Sequence, residues 1–305
     1  MRKVILLCAS LFTTALLFSA SPVMAQQWVA NNGSDANACT PIAPCATFQR
    51  AINIGASQIN CLDSGSYGPV TIETSLTIDC GSGNVGNIAS SSASGITINT
   101  TSAVTIILRH LALNGFSAGG SIHGIDASSF SNGTLIVEDC MIHGYHAGFG
   151  VFFIPSNGRG LLQVSDSQMF DNFDGIVVQP VGSQIASLTL NRVESVGNSH
   201  FGVSLGGNVV AGTMRDSVVG ENGTSGIVSQ ASQVFFTVEE SSIVDNLVNG
   251  IQTLSDGSAI KVGASTIGGN GTGVLATAGS IVSFGNNQIS DNGSDGTFTS
   301  TKALR

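Results

Sequence analysis

Seven side chains able to move protons, stack on a ring or hold a metal fall in one stretch of the chain: His123, Asp126, His143, Tyr145, His146, Asp174 and His200. Four of the five histidines lie there. Imidazole and carboxylate are the usual proton-transfer pair near neutral pH, and a Tyr ring gives a sugar face something to stack on. His123, Tyr145, His146, Asp174 and His200 each precede a Gly corner, which predicts that they gather along one edge of the molecule. The predicted ligand-binding set is Tyr145, His146, Phe152, Asp174 and His200. Asp126, His123 and His146 are the catalytic candidates if the site does chemistry. A scatter of polar loop residues is the competing account. A metal site of His143, His146 and Asp174 is the poorer reading, because loop histidines at that spacing are a weak metal signal. No metal or cofactor is assigned. Calcium is the one cation with a second set of candidate ligands, the column Asp171, Glu221, Asp245 and Asp291, because it could bridge carboxylates on coils about 5 Å apart. Gly197 and Gly269 interrupt that column, which favours solvated turn residues instead.

The elements that must position these residues are set by a repeat. Six windows lie in register, starting at Val164, Leu190, Met214, Val238, Val262 and Phe284, spaced 26, 24, 24, 24 and 22 residues apart. Each carries Asn eight residues after its start (Asn172, Asn198, Asn222, Asn246, Asn270, Asn292) and Gly three or four residues later (Gly175, Gly202, Gly226, Gly250, Gly273, Gly296). A period near 24 without a helical pattern reads as a β-solenoid. Within each window apolar residues alternate with polar ones, the strand signature. Leu188/Leu190, Phe236/Val238, Ile260/Val262 and Val282/Phe284 should point inward, with Thr189, Thr237, Lys261 and Ser283 between them facing water. A second strand centres on Met169, Val219, Ile243, Ile267 and Ile289, and a third follows the Gly (Ile176/Val178, Val203/Leu205, Ile251/Thr253, Val274/Ala276). Three short parallel strands per coil of about 22–30 residues predict an all-β, right-handed parallel β-helix. The Asn column suits a tight turn and a ladder of stacked amides, and Gly suits a corner needing positive φ. Earlier coils are longer, starting at Ile78, Leu108 and Val137.

Residues 1–25 read as a secretory signal: Arg2 and Lys3, an apolar run from Val4 to Phe18, then Val23-Met24-Ala25. Residues 26–57 form an N-terminal unit, with an edge strand at Trp28-Val29-Ala30 and a short helix N-capped by Thr47 that lays Phe48, Ala51 and Ile52 over the open end of the solenoid. Residues 58–305 are the β-helix. Residues 82–94 are Gly/Ser/Asn-rich and read as a surface loop. Export permits disulfides, and local spacing predicts Cys39–Cys45 and Cys61–Cys80. Cys140 falls in the inward column of Ser167, Ser217, Ser241 and Ser265 and is read as a free, packed thiol. Ten Lys+Arg stand against 19 Asp+Glu, for a net charge of −9. That acidity disfavours nucleic acid and anionic membranes as partners, and no second apolar run is long enough to span a bilayer.

The N-terminal pattern WVANNGSDANACTPIAPCATFQRAI, the INCLDSGSYGPVTI coil and the ending SFGNNQISDNGSDGTFT resemble a group of exported bacterial right-handed β-helix proteins within the pectate-lyase-like superfamily. The resemblance implies the fold, and by analogy polysaccharide as the substrate class, but no established reaction. In the enzymes of that superfamily, active groups stand outward on the strand after the Gly corner. Here that column reads Asp126, Phe152, Val177, Ser204, Val228, Gln252, Leu275 and Phe298, with one carboxylate and no base. Glycoside acid–base chemistry normally uses two carboxylates. The expectation is therefore an exported, non-catalytic β-helix that binds a glycan or a protein partner at the cell surface or in the periplasm. The alternative is a divergent polysaccharide lyase, hydrolase or epimerase. The apolar outward column favours the first; the His/Tyr/Asp cluster alone favours the second.

Overall fold

The computed structural model describes residues 25–81, 83–116 and 122–302. The expected leader falls outside these residues, apart from Ala25. Strands of alternating burial stack in parallel along three faces of a solenoid, every pairing between named strands being parallel. On the first face Leu190, Met214, Val238 and Val262 lie in one column. On the second, Met169, Ser195, Val219, Ile243, Ile267 and Ile289 do. On the third, Ile176, Val203, Ile227, Ile251 and Val274 do. Nearly all these side chains are buried, so one continuous apolar core runs the length of the coil stack. The two-residue periodicity of each strand is what sends alternate side chains there.

The Asn column forms the expected ladder. The amide Nδ2 of Asn198, Asn222, Asn246 and Asn270 donates to the Oδ1 of the next Asn at 3.0, 2.9, 2.9 and 2.9 Å. Each Oδ1 also accepts the backbone N–H of the Asn one coil back, as Asn222 does from Asn198 at 3.1 Å. Each Nδ2 also reaches a core-strand carbonyl, as Asn222 does to Ser195 at 3.1 Å. These amides are buried, so the ladder satisfies groups that water cannot reach. The left-handed position is not the Asn itself but the residue before it: Asp171, Asp245 and Asp291 have φ of 55°, 56° and 62°, and Gly197 and Gly269 share the position. The acidic column is thus a column of left-handed corners, where Asp is among the few side chains tolerated. A second ladder runs through the Ser column, with Ser217 N–H donating to Ser241 Oγ at 3.2 Å and Ser241 N–H to Ser265 Oγ at 3.2 Å.

The Gly corner works differently from the expectation. Gly175, Gly202, Gly226, Gly250 and Gly273 do not have positive φ; only Gly296 does. They are required by crowding: a Cβ on Gly202 would sit 2.4 Å from Val219 Cγ1 and 2.8 Å from Asn222 Nδ2. Two register expectations also fail near the end. Ile281 pairs with Ile260 and Ser283 with Val262, so Ile281 and Ser283, not Val282 and Phe284, occupy the inward column. The cause is a one-residue shift between the first strand of that coil and the second, where Gln288 pairs with Thr266. Gly296 pairs with Val274, which moves Phe298 to the inner side, packed against the core rather than outward. Residues 86–90 are not loop: they form a strand of the second face between Gly65–Ser66 and Leu111–Gly115, with Ile88 and Ser90 buried.

At the N-terminal end, strand Gln26–Val29 pairs in parallel with Gln58–Cys61. A six-residue helix, α1 (Phe48–Asn53), is capped by Thr47, whose Oγ1 accepts from Arg50 N–H at 3.1 Å. Phe48 and Ala51 are buried and Ile52 is partly so. Both disulfides form, Cys39–Cys45 and Cys61–Cys80, each with Cα atoms 4.6 Å apart. Cys140 is free and buried in the Ser column, its thiol donating to Glu138 O at 3.3 Å.

Candidate functional site

The outward column of the third face is Thr71, Thr97, Asp126, Phe152, Val177, Ser204, Val228, Gln252 and Leu275, in stacking order. The expected residues are in place except Phe298, but the strip is not an open apolar surface. Val177, Ser204 and Val228 are buried although they point away from the core. Val177 and Ser204 form the floor of a groove of about 320 Å³, lined by Phe149, Phe173, Asp174, His200 and Phe201 on the Gly-corner side and by Gln179, Gly206, Gly207 and Gln230 beyond.

The corner-side wall is a ribbon of six rings. His123 stacks on Phe149 with centroids 4.8 Å apart, and both contact Phe152 at 4.8 and 4.9 Å. Phe149 reaches Phe173 at 6.4 Å, Phe173 reaches His200 at 4.9 Å, and His200 lies 3.6 Å from Phe201. The ribbon arises because His123, Phe149, Asp174 and Phe201 occupy one column, each immediately before the Gly that turns the chain into the third strand. Phe173 stands exposed, and the others are buried or half-buried.

Asp174 and His200 form the polar element of this wall. Asp174 Oδ1 accepts from Phe201 N–H at 2.8 Å and lies 3.0 Å from His200 Nδ1. Burial is the largest influence on Asp174 and raises its pKa above the ordinary carboxylate value, against the Phe201 N–H and His200, which act the other way. With Nδ1 turned to the carboxylate, His200 presents Nε2 as its second polar atom. His123 is buried; its Nδ1 accepts from Phe149 N–H at 3.0 Å, which places the proton of the neutral ring on Nε2. Burial lowers the His123 pKa, with Asp126 opposing, so the ring is held neutral. Asp126 Oδ1 accepts from Ser128 N–H at 3.0 Å.

The structure therefore joins His123, Phe152, Asp174 and His200 and leaves out two expected members. Tyr145 is not a surface ligand. It is fully buried, its hydroxyl 3.0 Å from Ser90 Oγ, and its ring fills the space above Gly95, Gly115 and Gly124. Its backbone N–H donates to Asn172 Oδ1 at 3.2 Å, so Tyr145 takes the place of Asn at the start of the ladder, where the longer coils leave more room. Burial pushes its hydroxyl up to about 12. His146 is exposed, paired with Asp171 at 3.0 Å on the left-handed corner, and lines no part of the groove. His143 stacks on Phe170 on the second face, so His143, His146 and Asp174 do not converge. Among the described residues no group of three His, Cys, Asp or Glu is placed to hold a metal ion. Sequence reasoning missed Phe149, Phe173 and Phe201. Their signal was present: aromatic residues one or two positions before the corner Gly in three successive coils.

Parallel strands stacked on three faces around one core define a parallel β-helix. The chain is similar in structure to pectate lyase Pel9A, at 15% identity and a TM-score of 0.68 over 92% of this chain and 78% of that one. It is also similar to the A-module of the mannuronan C-5 epimerase AlgE4 of Azotobacter vinelandii, at 14% identity and a TM-score of 0.48 over 85% of this chain and 94% of that one. No protein-family model and no curated protein matches the sequence. At these identities the likeness is one of fold.

Proposed function

We propose that this is an exported, right-handed β-helix protein that binds a glycan chain in the groove of the third face, with α1 covering the N-terminal end of its core. The observation that carries the reading is the ribbon of rings from His123 to Phe201 bordering a groove whose other wall is polar. Aromatic faces beside amide and hydroxyl groups are the chemistry that recognises sugar rings. Two disulfides and a leader-like N-terminus support export. Phe149, Phe173, His200 and Phe201 are the contact residues, replacing Tyr145 and His146. The fold shared with a pectate lyase supports a polysaccharide ligand by analogy.

One observation favours an enzymatic reading: the buried Asp174 orients His200, as a carboxylate orients a general base. A glycan array with the purified protein, followed by product analysis on each hit, separates the two. For a binding protein, Phe173→Ala and His200→Ala weaken the hits at least about tenfold and no product forms. Product that disappears in His200→Ala establishes the enzyme. Hits indifferent to both substitutions remove the groove as the site.

A further inference from the structure

If the groove is a glycan site, its charge pattern restricts the glycan. We infer that the groove takes an uncharged sugar chain and rejects polyuronates. The inference rests on the glycan-binding reading and adds a substrate class to it.

The ionisable side chains lining the groove are Asp174 and His200, and neither Lys nor Arg lines it. Among the described residues the cations lie elsewhere and most are engaged. Arg109 pairs with Glu138, Arg192 with Asp166, and Arg215 with Glu239 and Glu240, all on the first face or the corner that follows it. Arg159 donates to Ser187 Oγ at 2.9 Å on the same face, and Lys261 stands in its outward column. Asp126, the one carboxylate of the outward column of the third face, adds further negative charge on the same face. A uronate carboxylate entering here would be stripped of water beside Asp174, against Val177 and the phenylalanine rings, with no guanidinium or ammonium to meet it. A divalent cation could bridge two carboxylates, but among the described residues Asp174 belongs to no group of three His, Cys, Asp or Glu placed to hold one. The neutral groups present suit hydroxyls: Gln179 and Gln230 are exposed on the polar wall, with Ser204 on the floor. An amide and a hydroxyl each donate and accept, as a sugar hydroxyl does.

The test uses the full protein at about pH 8, where an ordinary imidazole is neutral. The panel holds neutral glucans, galactans, xylans and mannans beside polygalacturonate and alginate. Each uronate polymer is also supplied fully methyl-esterified, and all are measured with and without calcium. Wild type and Phe173→Ala are compared, so that only binding lost in Phe173→Ala is scored as groove binding. The expected result is groove binding confined to uncharged members, with any esterified polymer that binds preferred over its acid form by at least about tenfold. Calcium leaves that preference unchanged. Gln230→Arg, an exposed substitution on the groove wall, should raise the affinity for the acid forms relative to the esterified forms about tenfold. Groove binding of polygalacturonate or alginate as tight as the esterified form overturns the inference while leaving the glycan reading intact. So does a Gln230→Arg variant with unaltered preference. No Phe173-dependent binding to any member overturns the glycan reading itself, and the inference with it.

Discussion

Replacing Asn222 by Ala removes the centre of the amide ladder, and the structure shows what is left behind. Asn222 Oδ1 accepts from Asn198 N–H and Asn198 Nδ2, and Asn222 Nδ2 donates to Ser195 O and Asn246 Oδ1. Two of the four partners are partly compensated: Asn198 Nδ2 keeps Met169 O at 3.2 Å, and Asn246 Oδ1 keeps the residue-222 backbone N–H at 3.2 Å. Asn198 N–H loses its acceptor and Ser195 O loses this donor, both beside buried side chains. A buried unsatisfied group costs about 1–3 kcal/mol, so the pair and the small void cost about 3–5 kcal/mol. At about 2–4 °C per kcal/mol for a protein of this size, the expected fall in Tm is roughly 6–20 °C. Far-UV circular dichroism reads the transition, and hydrogen exchange shows whether protection is lost in the coils on either side of residue 222. Asn292→Ala is the control. It removes the same kind of bonds, to Asn270 N–H and Nδ2, but at a half-exposed position where water can replace them. Its shift should be less than half as large. Equal shifts, or an Asn222→Ala protein melting within about 2 °C of wild type, would refute the claim that buried amide satisfaction holds the coils together.

Three further outcomes are expected. Asp174→Asn retains an acceptor for Phe201 N–H but removes a buried charge. The folded pKa of Asp174 is raised, so the native state holds a proton that the unfolded chain has lost, and wild-type stability falls as pH rises from about 3.8 through the raised value. In Asp174→Asn that loss should be absent, with Tm at neutral pH equal to or above wild type; a lower Tm at every pH would show that the carboxylate is stabilising. Ile243→Asp, fully buried on the second face, should cost several kcal/mol, whereas Thr237→Asp, half-exposed on the first, should cost less than about 1 kcal/mol; equal denaturation midpoints would contradict the register. Cys140, with its thiol pushed up to about 12 by complete burial, should resist alkylation in the native protein and react only on unfolding, as mass spectrometry would show.

The parts of the structure that depend on repetition were legible in the sequence. The coil period, the three inward columns, the Asn ladder and both disulfides follow from spacing alone. What was not legible depends on distances between coils. Whether the corner Gly is there for φ or for lack of a Cβ cannot be told from Gly202, but the 2.4 Å clash with Val219 decides it. Tyr145 looked like a surface ring because it precedes a Gly corner, yet its backbone holds the ladder position and its side chain turns inward. Val282 moves because the first face of the last coil pairs at an offset of 21 residues where the second pairs at 22, and Phe298 moves because the third face keeps 22 although Gly296 stands 23 residues after Gly273. Of the site, His123, Phe152, Asp174 and His200 were identified, because ionisable residues attract attention in a sequence so poor in charge. The phenylalanines that join them did not stand out, because their contacts link residues about 25 positions apart.

The ladders also bear on how such a molecule can change its size. Each coil between Asn172 and Asn292 receives its amide contacts from the coil after it and gives the same contacts to the coil before, at offsets of 26, 24, 24, 24 and 22 residues. Nothing in those contacts records which coil is which. Excising one complete 24-residue unit, from Met214 through Thr237, would bring the register of Val238 into that of Met214, with Asn198 meeting Asn246 as it now meets Asn222. Length is therefore a nearly free variable of this architecture, and the number of ring-bearing corners beside the groove can grow or shrink by duplication without redesign of the core that carries them.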